Sequence, residues 1–393
     1  MLRIHLLLNK LNKLNELNKL KDMVLLEKRN FKDFDWLVAI LAVAIVCFGV
    51  WQIYNAQPNE SYWSKQIVGL FIALTALMVV SITDYRRIID AAPIFYVIGL
   101  VLLLLVLTPL GVKVNGQQAW LKLPLVGQFQ PSEFVKIPVV LMLAKYFGAR
   151  RDGTLKLKEF LIGCAILAGP IALIMLEPDA GQAMTYFPIL IVVLFLSAIK
   201  MRYVVLTIAA GLIFMPVAFW VGVQTGKIKP YQIERINVIL DPENADPRGY
   251  GYHTIQSMIT VGKGNLTGIK GDTETSQSVL KFLPEPQTDF IFAVTAENTG
   301  FVGCISLLLA YALLLSRLIS GARNAPDRAG MLVIMAIAGE LAFQIFINVG
   351  MTLGFLPVIG VPLPMMSAGL SAVLATFIAI GFVISIKMRR FVN

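Results

Sequence analysis

One carboxylate lies where a long polar segment of the sequence ends and an apolar segment begins. Asp289 follows the stretch Phe282–Thr288 and opens an apolar run that continues to residue 316. An ionisable group at a membrane edge is costly and usually pairs, binds or reacts, and a carboxylate beside a positioned hydroxyl can act as a general base. Asp289 is therefore our candidate catalytic residue. The alternative is that Asp289 caps the helix that begins there, because the positive end of a helix favours an anion.

A second chemical group is formed by Glu133 and Lys136, which are three residues apart in the stretch Pro131–Lys136. Residues at this spacing share a helix face, and such ion pairs stabilise exposed helices by only about 0.2–0.5 kcal/mol. A charge at the centre of a transmembrane helix costs about 2.5–3.5 kcal/mol. We therefore favour a polar cavity that binds substrate over a purely structural ion pair.

Two further outer segments contain polar material. Glu177 and Asp179 lie in a tight turn whose proline and glycine explain the turn but not the acids. Asp179 is a candidate for the same cavity, and a solvated turn is the alternative. The segment 111–130 is rich in glycine and amide side chains and should form turns, with Trp120 as a candidate binding residue. The alternative for Trp120 is an aromatic residue at the membrane interface.

The longest polar segment, 223–287, has seven basic residues, among them Arg235, and no Walker-type or dinucleotide-binding glycine pattern. Structureless loops of this length are uncommon unless they are functional or disordered. Its apolar stretches 233–240 and 252–261 predict short helices lying on the membrane. Arginine and lysine are the usual partners of phosphate groups, so the basic residues of this segment are candidates for binding a lipid-linked phosphate.

The elements that position these residues follow from composition. The chain has 393 residues, 57% hydrophobic and 15% charged, with a mean hydropathy of +0.74, which is typical of a polytopic membrane protein. Backbone groups in lipid must be satisfied internally, so each long apolar run should be a helix. The sequence predicts an all-α fold of ten transmembrane helices over residues 36–54, 66–83, 92–110, 131–147, 159–176, 184–199, 203–223, 289–316, 330–353 and 364–386.

Lysine and arginine predict the orientation. With the N-terminus in the cytoplasm, the cytoplasmic ends and loops contain 23 of the 34 basic residues, and every short loop obeys the positive-inside rule. Both termini should then be cytoplasmic, and segment 223–287 and Asp289 should lie on the outer face. The net charge of +10 is explained by this topology and does not indicate nucleic-acid binding. Residues 1–34 form a cytoplasmic tail, and residues 35–393 form the transmembrane domain.

Sequence features exclude some kinds of site. The three cysteines, Cys47, Cys164 and Cys304, lie in apolar runs without paired spacing, which indicates neither disulfides nor a thiolate metal site. Two histidines are too few for a histidine-based metal site. The sequence gives no indication of an organic cofactor.

Ten short motifs occur in a fixed order along the chain. They are Gly116–Trp120, Gln130–Glu133, Pro178–Gly181, Tyr231–Ile236, Asp241–Glu243, Gly251–Ser257, Phe282–Glu285, Thr288–Phe292, Asn348–Met351 and Gly360–Pro364. Together they resemble the motifs of the SEDS family, which includes the proteins RodA and FtsW. The resemblance runs from about residue 35 to the C-terminus. Residues 231–236 and 241–243 are more similar to RodA, the elongation member, than to FtsW, the division member.

The resemblance implies a ten-helix peptidoglycan glycosyltransferase that polymerises lipid II at the outer face of the cytoplasmic membrane and releases undecaprenyl pyrophosphate. It implies a class B penicillin-binding protein as partner. Asp289 corresponds to the essential acid, Glu133 and Lys136 to cavity residues, and Trp120 to a residue of the first outer loop. The roles of Asp179 and Arg235 in substrate binding are carried over from the same motifs.

Some residues depart from the family pattern, and some alternatives remain. Gln287, Asn298 and Lys281 replace residues common in relatives, so they receive no role.

The charge of the pyrophosphate must be compensated, and Lys136, Arg235 or a divalent cation, Mg²⁺ or Mn²⁺, is expected to do so. A lipid II flippase would need polar residues at depth, for which Glu340, Gln344 and Asn348 are candidates, although hydrogen bonds between helices are the commoner reason for such residues. A noncatalytic scaffold is the third alternative.

Overall fold

A computed structural model describes residues 33–114, 117–123, 127–150, 157–197, 200–209, 251–269 and 274–390. Residues 201–209 are also helical, so each of the ten predicted runs contains helix, although the run 203–223 lies outside the described residues from 210 onward. The all-α membrane fold is confirmed. The helices are α1 (Trp36–Ala56), α2 (Tyr62–Ile82), α3 (Tyr85–Asp90), α4 (Ala92–Val106), α5 (Pro131–Gly148), α6 (Leu157–Leu176), α7 (Ala180–Thr185), α8 (Phe187–Leu196), α9 (Tyr252–Lys263), α10 (Ile291–Arg323), α11 (Arg328–Thr352) and α12 (Leu370–Met388).

Six of the described helices, α1, α2, α6, α10, α11 and α12, are long and apolar enough to cross a membrane. The others are short or polar for reasons visible in the sequence. Helix α5 contains Glu133, Lys136 and Lys145, and Pro188 marks the start of α8 directly after α7. These less regular helices surround the polar groups of the candidate site.

A small β-sheet corrects the expectation of a turning segment at 111–130. Strands β1 (Gly111–Val114), β2 (Gln117–Leu123) and β3 (Gly127–Phe129) form an antiparallel sheet in that order. Ala119 and Leu121 of β2 are buried while Lys122 is exposed, which is the period-two pattern of a strand with one covered face. The strands are short and are separated by Asn115–Gly116 and by Pro124–Val126, so the alternation was obscured in the sequence.

Several ion pairs lie together at one end of the helix bundle. Asp35, just before α1, pairs with Arg317 of α10 and Lys387 of α12. Asp327, before α11, accepts a hydrogen bond from Tyr85 of α3. The other candidate residues lie at the opposite helix ends. The sheet follows α4, the turn before α7 follows α6, and α9 and Asp289 precede α10. Among the described residues, basic side chains that the positive-inside rule assigns to the cytoplasm, such as Arg86, Arg317 and Lys387, therefore lie at one end of the bundle.

Helix α10 is interrupted. Its 33 residues would span about 50 Å as one helix, more than the ~30 Å of a hydrocarbon core, but Gly300 has φ 66° and ψ −164°. The break is filled by the segment 264–269. The amides of Phe301 and Val302 donate to the carbonyls of Asn265 and Leu266 at 2.9 and 3.1 Å. Residues 291–299 thus form a separate short helix before Gly300, and the longer apolar part of α10 follows it.

This joint also fixes the end of the long polar segment. The predicted helix at 252–261 is confirmed as α9, whereas the predicted helix at 233–240 lies outside the described residues. Glu297, fully buried in the part of α10 before Gly300, accepts hydrogen bonds from Ser276 and from the backbone and hydroxyl of Ser278. The segment that leads into Asp289 is therefore attached to the helix that follows it.

Candidate active site

Asp289 lies just before α10 and is half-buried. The helix begins at Ile291, and Phe290 occupies the N-cap position, so the capping alternative for Asp289 is wrong. Gly360 adopts a positive φ of 74° opposite the carboxylate. Among the described residues, the only atom within 4 Å of a Cβ built on Gly360 is Oδ2 of Asp289, at 3.7 Å. Bare backbone therefore borders an opening beside the Asp289 carboxylate.

Lys136 is the centre of a buried ion cluster. Its Nζ donates to Oε2 of Glu133 and to Oε1 of Glu340, both at 2.9 Å. Gln182 donates to the other oxygen of Glu133, and Gln344 donates to Oε1 of Glu340 at 2.6 Å. Glu133 and Lys136 share a helix face as predicted and form an ion pair, whereas no local sequence pattern indicates that Glu340 completes the cluster.

The cluster borders a small cavity, and the binding of substrate there stays a prediction. The cavity has a volume of about 30 Å³ and is otherwise bounded by apolar side chains of α5, α8, α11 and α12, such as Val140, Ile337 and Phe382. One ammonium group here faces two carboxylates. The positive charge of Lys136 is therefore already balanced, and the cluster favours an additional positive charge or a proton over an anion.

The turn before α7 joins this cluster. Asp179 is 4% exposed, accepts a hydrogen bond from the amide of Gln182 at 3.1 Å and another from Nε2 of Gln130 at 3.2 Å. Because the side chain of Gln182 binds Glu133, one residue connects Asp179 to the ion cluster. Burial raises the pKa of Asp179 to about 6, against the lowering effect of the Gln182 hydrogen bond. The solvated-turn alternative is wrong for Asp179.

Glu177 is the least satisfied acid in the described part of the chain. It is fully buried, and neither of its carboxylate oxygens has a hydrogen-bond partner there. Burial, with the nearby charge of Asp179, raises the pKa of Glu177 to about 8. Glu177 is thus held as a neutral acid at neutral pH.

The backbone segment 359–361 connects the Asp179 turn with Asp289. A Cβ built on Gly181 would lie 2.1 Å from the carbonyl oxygen of Ile359, so the turn packs directly on this segment. Its next residue, Gly360, borders the Asp289 carboxylate. The two groups of acids predicted separately from sequence therefore belong to one continuous structure.

Trp120 is positioned by the sheet. It pairs with Val112 of β1 and is half-buried, on the opposite face of β2 from Ala119 and Leu121. The sheet is attached to the Asp179 turn, because Gln117 donates to the carbonyl of Pro178 at 3.3 Å. Trp120 therefore belongs to a structure that is fixed to the site, and its role in substrate binding stays a prediction.

Two predictions fall elsewhere. Arg235 lies outside the described residues. Among the residues that the structure describes, no group of three or more His, Cys, Asp or Glu side chains is placed to hold a metal ion.

Sequence reasoning missed Gln182 and Gln130, although both lie within three residues of a predicted site acid. Proximity to Asp179 and Glu133 was the available signal.

Comparison with known proteins identifies the family. The FtsW/RodA/SpoVE family model, described as cell cycle protein, matches residues 33–391. This chain belongs to that family. It is 35% identical to peptidoglycan glycosyltransferase MrdB of Escherichia coli, over 92% of this chain and 96% of MrdB.

Solved structures of family members agree with the fold. The chain is similar, with a TM-score of 0.77 and 32% identity, to a protein in a structure of a peptidoglycan synthase complex that coordinates polymerization and crosslinking; the match covers 92% of this chain and 99% of that protein. It is similar to the rod shape determining protein RodA of Thermus thermophilus with a TM-score of 0.69 and 27% identity, covering 92% and 98% of the two chains. The family fold is therefore present over nearly its whole length.

Proposed function

We propose that this protein is a peptidoglycan glycosyltransferase that polymerises lipid II for cell elongation and shape. The observation that carries the proposal is the half-buried carboxylate of Asp289 beside the bare backbone of Gly360, in a chain whose relative in Escherichia coli is a peptidoglycan glycosyltransferase. A reacting sugar needs access to the base, and Gly360 places no side chain beside the carboxylate. The likeness to RodA of Thermus thermophilus supports the role in shape.

In this mechanism Asp289 accepts the proton from the 4-hydroxyl of an acceptor lipid II. The hydroxyl oxygen forms a bond to the anomeric carbon of the growing strand, while the bond from that carbon to the pyrophosphate oxygen breaks. Undecaprenyl pyrophosphate leaves with the electron pair. A positioned general base contributes typically 10²- to 10⁴-fold to the rate.

The leaving pyrophosphate needs positive charge. Lys136 already balances two carboxylates, so we place this role on Arg235 and on a divalent cation, and we assign Lys136 to holding Glu133 and Glu340 in the cavity wall. A divalent cation would neutralise the pyrophosphate when bound. The described residues offer no three-ligand group for it, so no protein ligand is assigned. Chelation followed by addition of Mg²⁺ or Mn²⁺ tests the requirement.

We further propose that the site faces the outside of the cytoplasmic membrane and that both termini are cytoplasmic. The distribution of lysine and arginine supports this orientation. A class B penicillin-binding protein is the proposed partner, because a similar protein occurs in a complex that couples polymerization to crosslinking. Labelling of single cysteines introduced at Asp90 and at Lys113 from either side of the membrane tests the orientation.

The decisive experiment is a gel assay for glycan polymer from purified protein, lipid II and the partner. Asp289→Asn should lower the rate by at least 100-fold, because the amide cannot take the proton. Asp90→Asn makes the same change at an exposed position at the opposite end of the molecule and should leave the rate unchanged. An Asp289→Asn protein that polymerises lipid II at the wild-type rate would remove Asp289 from the mechanism.

A further inference from the structure

Three consecutive carbonyl groups lead up to the candidate base, and each accepts a hydrogen bond from a distant part of the chain. The amide of Ala368 donates to the carbonyl of residue 287 at 2.7 Å, and the hydroxyl of Ser367 donates to that of residue 288 at 2.6 Å. The side-chain amide of Asn348 donates to the carbonyl of Asp289 at 2.9 Å. The backbone that carries the carboxylate is therefore held at every residue.

Asn348 makes a second bond that distinguishes it from the other two donors. Its Nδ2 also donates to the carbonyl of Val361, at 2.8 Å. Val361 follows Gly360, whose backbone borders the opening beside the Asp289 carboxylate. One amide nitrogen thus connects the backbones on both sides of this opening, and its position sets their separation.

We propose that Asn348 is a positioning residue that sets the distance between the Asp289 carboxylate and the Gly360 backbone where the acceptor sugar enters. This inference rests on the proposed function, because it assigns Asn348 to the same reaction. It explains why a primary amide lies there: one asparagine nitrogen carries two N–H donors, whereas a hydroxyl carries one and an ionised carboxylate none.

The surroundings of Asn348 are built to keep it in place. The residue is fully buried in α11, and its own carbonyl accepts a hydrogen bond from Thr352 at 2.7 Å. The neighbouring turn is held in a similar way. Gln66 of α2 donates to the carbonyl of Ser367 at 3.0 Å and accepts from the amide of Gly369 at 3.1 Å. Movement of the base relative to the Gly360 segment would thus require a change at Asn348.

The predicted effect concerns the chemical step and not substrate affinity. Misplacement of a catalytic group by about 1 Å can cost about 10²-fold in rate. Asn348→Leu has a similar size but no donor, and should lower kcat by about 10- to 100-fold while the Kd for labelled lipid II stays within about twofold. A residue that only stabilised the fold would not produce this difference between kcat and Kd.

Thr295→Val is the matched control. Thr295 is fully buried in the part of α10 before Gly300, and its hydroxyl donates only to the carbonyl of Ile291 in its own helix, at 2.9 Å. The variant removes a buried hydrogen bond six residues from Asp289 without touching its backbone. Both variants should lower the melting temperature in detergent, but only Asn348→Leu should lower kcat.

The outcomes separate this inference from the proposed function. The positioning role is overturned if the kcat of Asn348→Leu lies within twofold of the kcat of Thr295→Val. It is also overturned if Asn348→Leu raises the Kd for labelled lipid II and leaves kcat unchanged. If Asn348→Leu does not fold, Asn348→Ser removes the same paired donors without adding bulk and is judged by the same criteria. Combined with Asp289→Asn, Asn348→Leu should cause no further loss of residual rate, because it acts through Asp289. Full activity of Asp289→Asn alone would instead refute the proposed function.

Discussion

Replacement of Lys136 by methionine tests whether the buried ion cluster exists as described. Lys136, Glu133 and Glu340 have side chains only 7%, 5% and 12% exposed. Removing one partner of a buried ion pair costs about 3–5 kcal/mol, because it leaves an uncompensated buried charge. Here a single substitution leaves two carboxylates without their shared ammonium. We therefore expect Lys136→Met to lower the free energy of unfolding by at least about 3 kcal/mol.

The charge argument makes a second, opposite prediction for Glu340. Glu340→Gln leaves one ammonium and one carboxylate, and the glutamine oxygen can still accept hydrogen bonds from Lys136. Glu340→Gln should therefore lower the free energy of unfolding by less than about 1 kcal/mol, or should raise it. In the double variant, Glu340→Gln should restore part of the stability lost by Lys136→Met, since only Glu133 then remains charged, with its hydrogen bond from Gln182.

Titration with SDS, followed by circular dichroism, measures these free energies in the membrane-mimetic state. Lys145→Met is the control on the same helix, because its ammonium donates to the carbonyl of Asp90 near the surface. It should cost less than about 1 kcal/mol. If Lys136→Met stays within about 1 kcal/mol of wild type, or if Glu340→Gln is as damaging as Lys136→Met, the reasoning from buried charge is refuted.

Two further predictions concern the joint in α10 and the unpartnered acid. Gly268→Ala should destabilise the protein by more than about 2 kcal/mol, because its φ is 77° and an added Cβ would lie 2.2 Å from the carbonyl oxygen of Asn298. Gly262→Ala, with no atom of the described residues within 4 Å of the added carbon, should be neutral or stabilising in the same thermal denaturation assay; equal losses would contradict the joint. Burial raises the pKa of Glu177 from 4.5 to about 8. Wild type should therefore lose stability relative to Glu177→Gln as the pH rises from about 4.5 to 8. Below about pH 4.5 the stability difference between the two proteins should not change with pH. Melting temperatures across this pH range, with exposed Glu60→Gln as control, check this; a difference that does not grow with pH would contradict it.

Much of the fold was predictable because each helix is specified by its own residues. Length and hydropathy of an apolar run are local properties, and so is the three-residue spacing that places Lys136 beside Glu133. The partner Glu340 is 204 residues away, and no local pattern selects it. The break at Gly300 was hidden for the same reason, because a single glycine in an apolar run becomes a break only when the segment 264–269 supplies the missing hydrogen bonds.

The polar residues of α11 show how spacing alone can mislead. Glu340, Gln344 and Asn348 are four residues apart, which suggested one stripe along the helix and hence a path for transport. At 100° per residue, however, eight residues turn the helix by about 80° beyond two full turns and advance it by about 12 Å. Glu340 and Gln344 accordingly line the cavity, whereas Asn348 binds the backbone of Asp289 and Val361. A path across the membrane needs polar groups on one continuous surface. Glu340 and Gln344 line the cavity, whereas Asn348 holds the backbone of the base. This division instead favours a fixed site at the Asp289 end of the molecule.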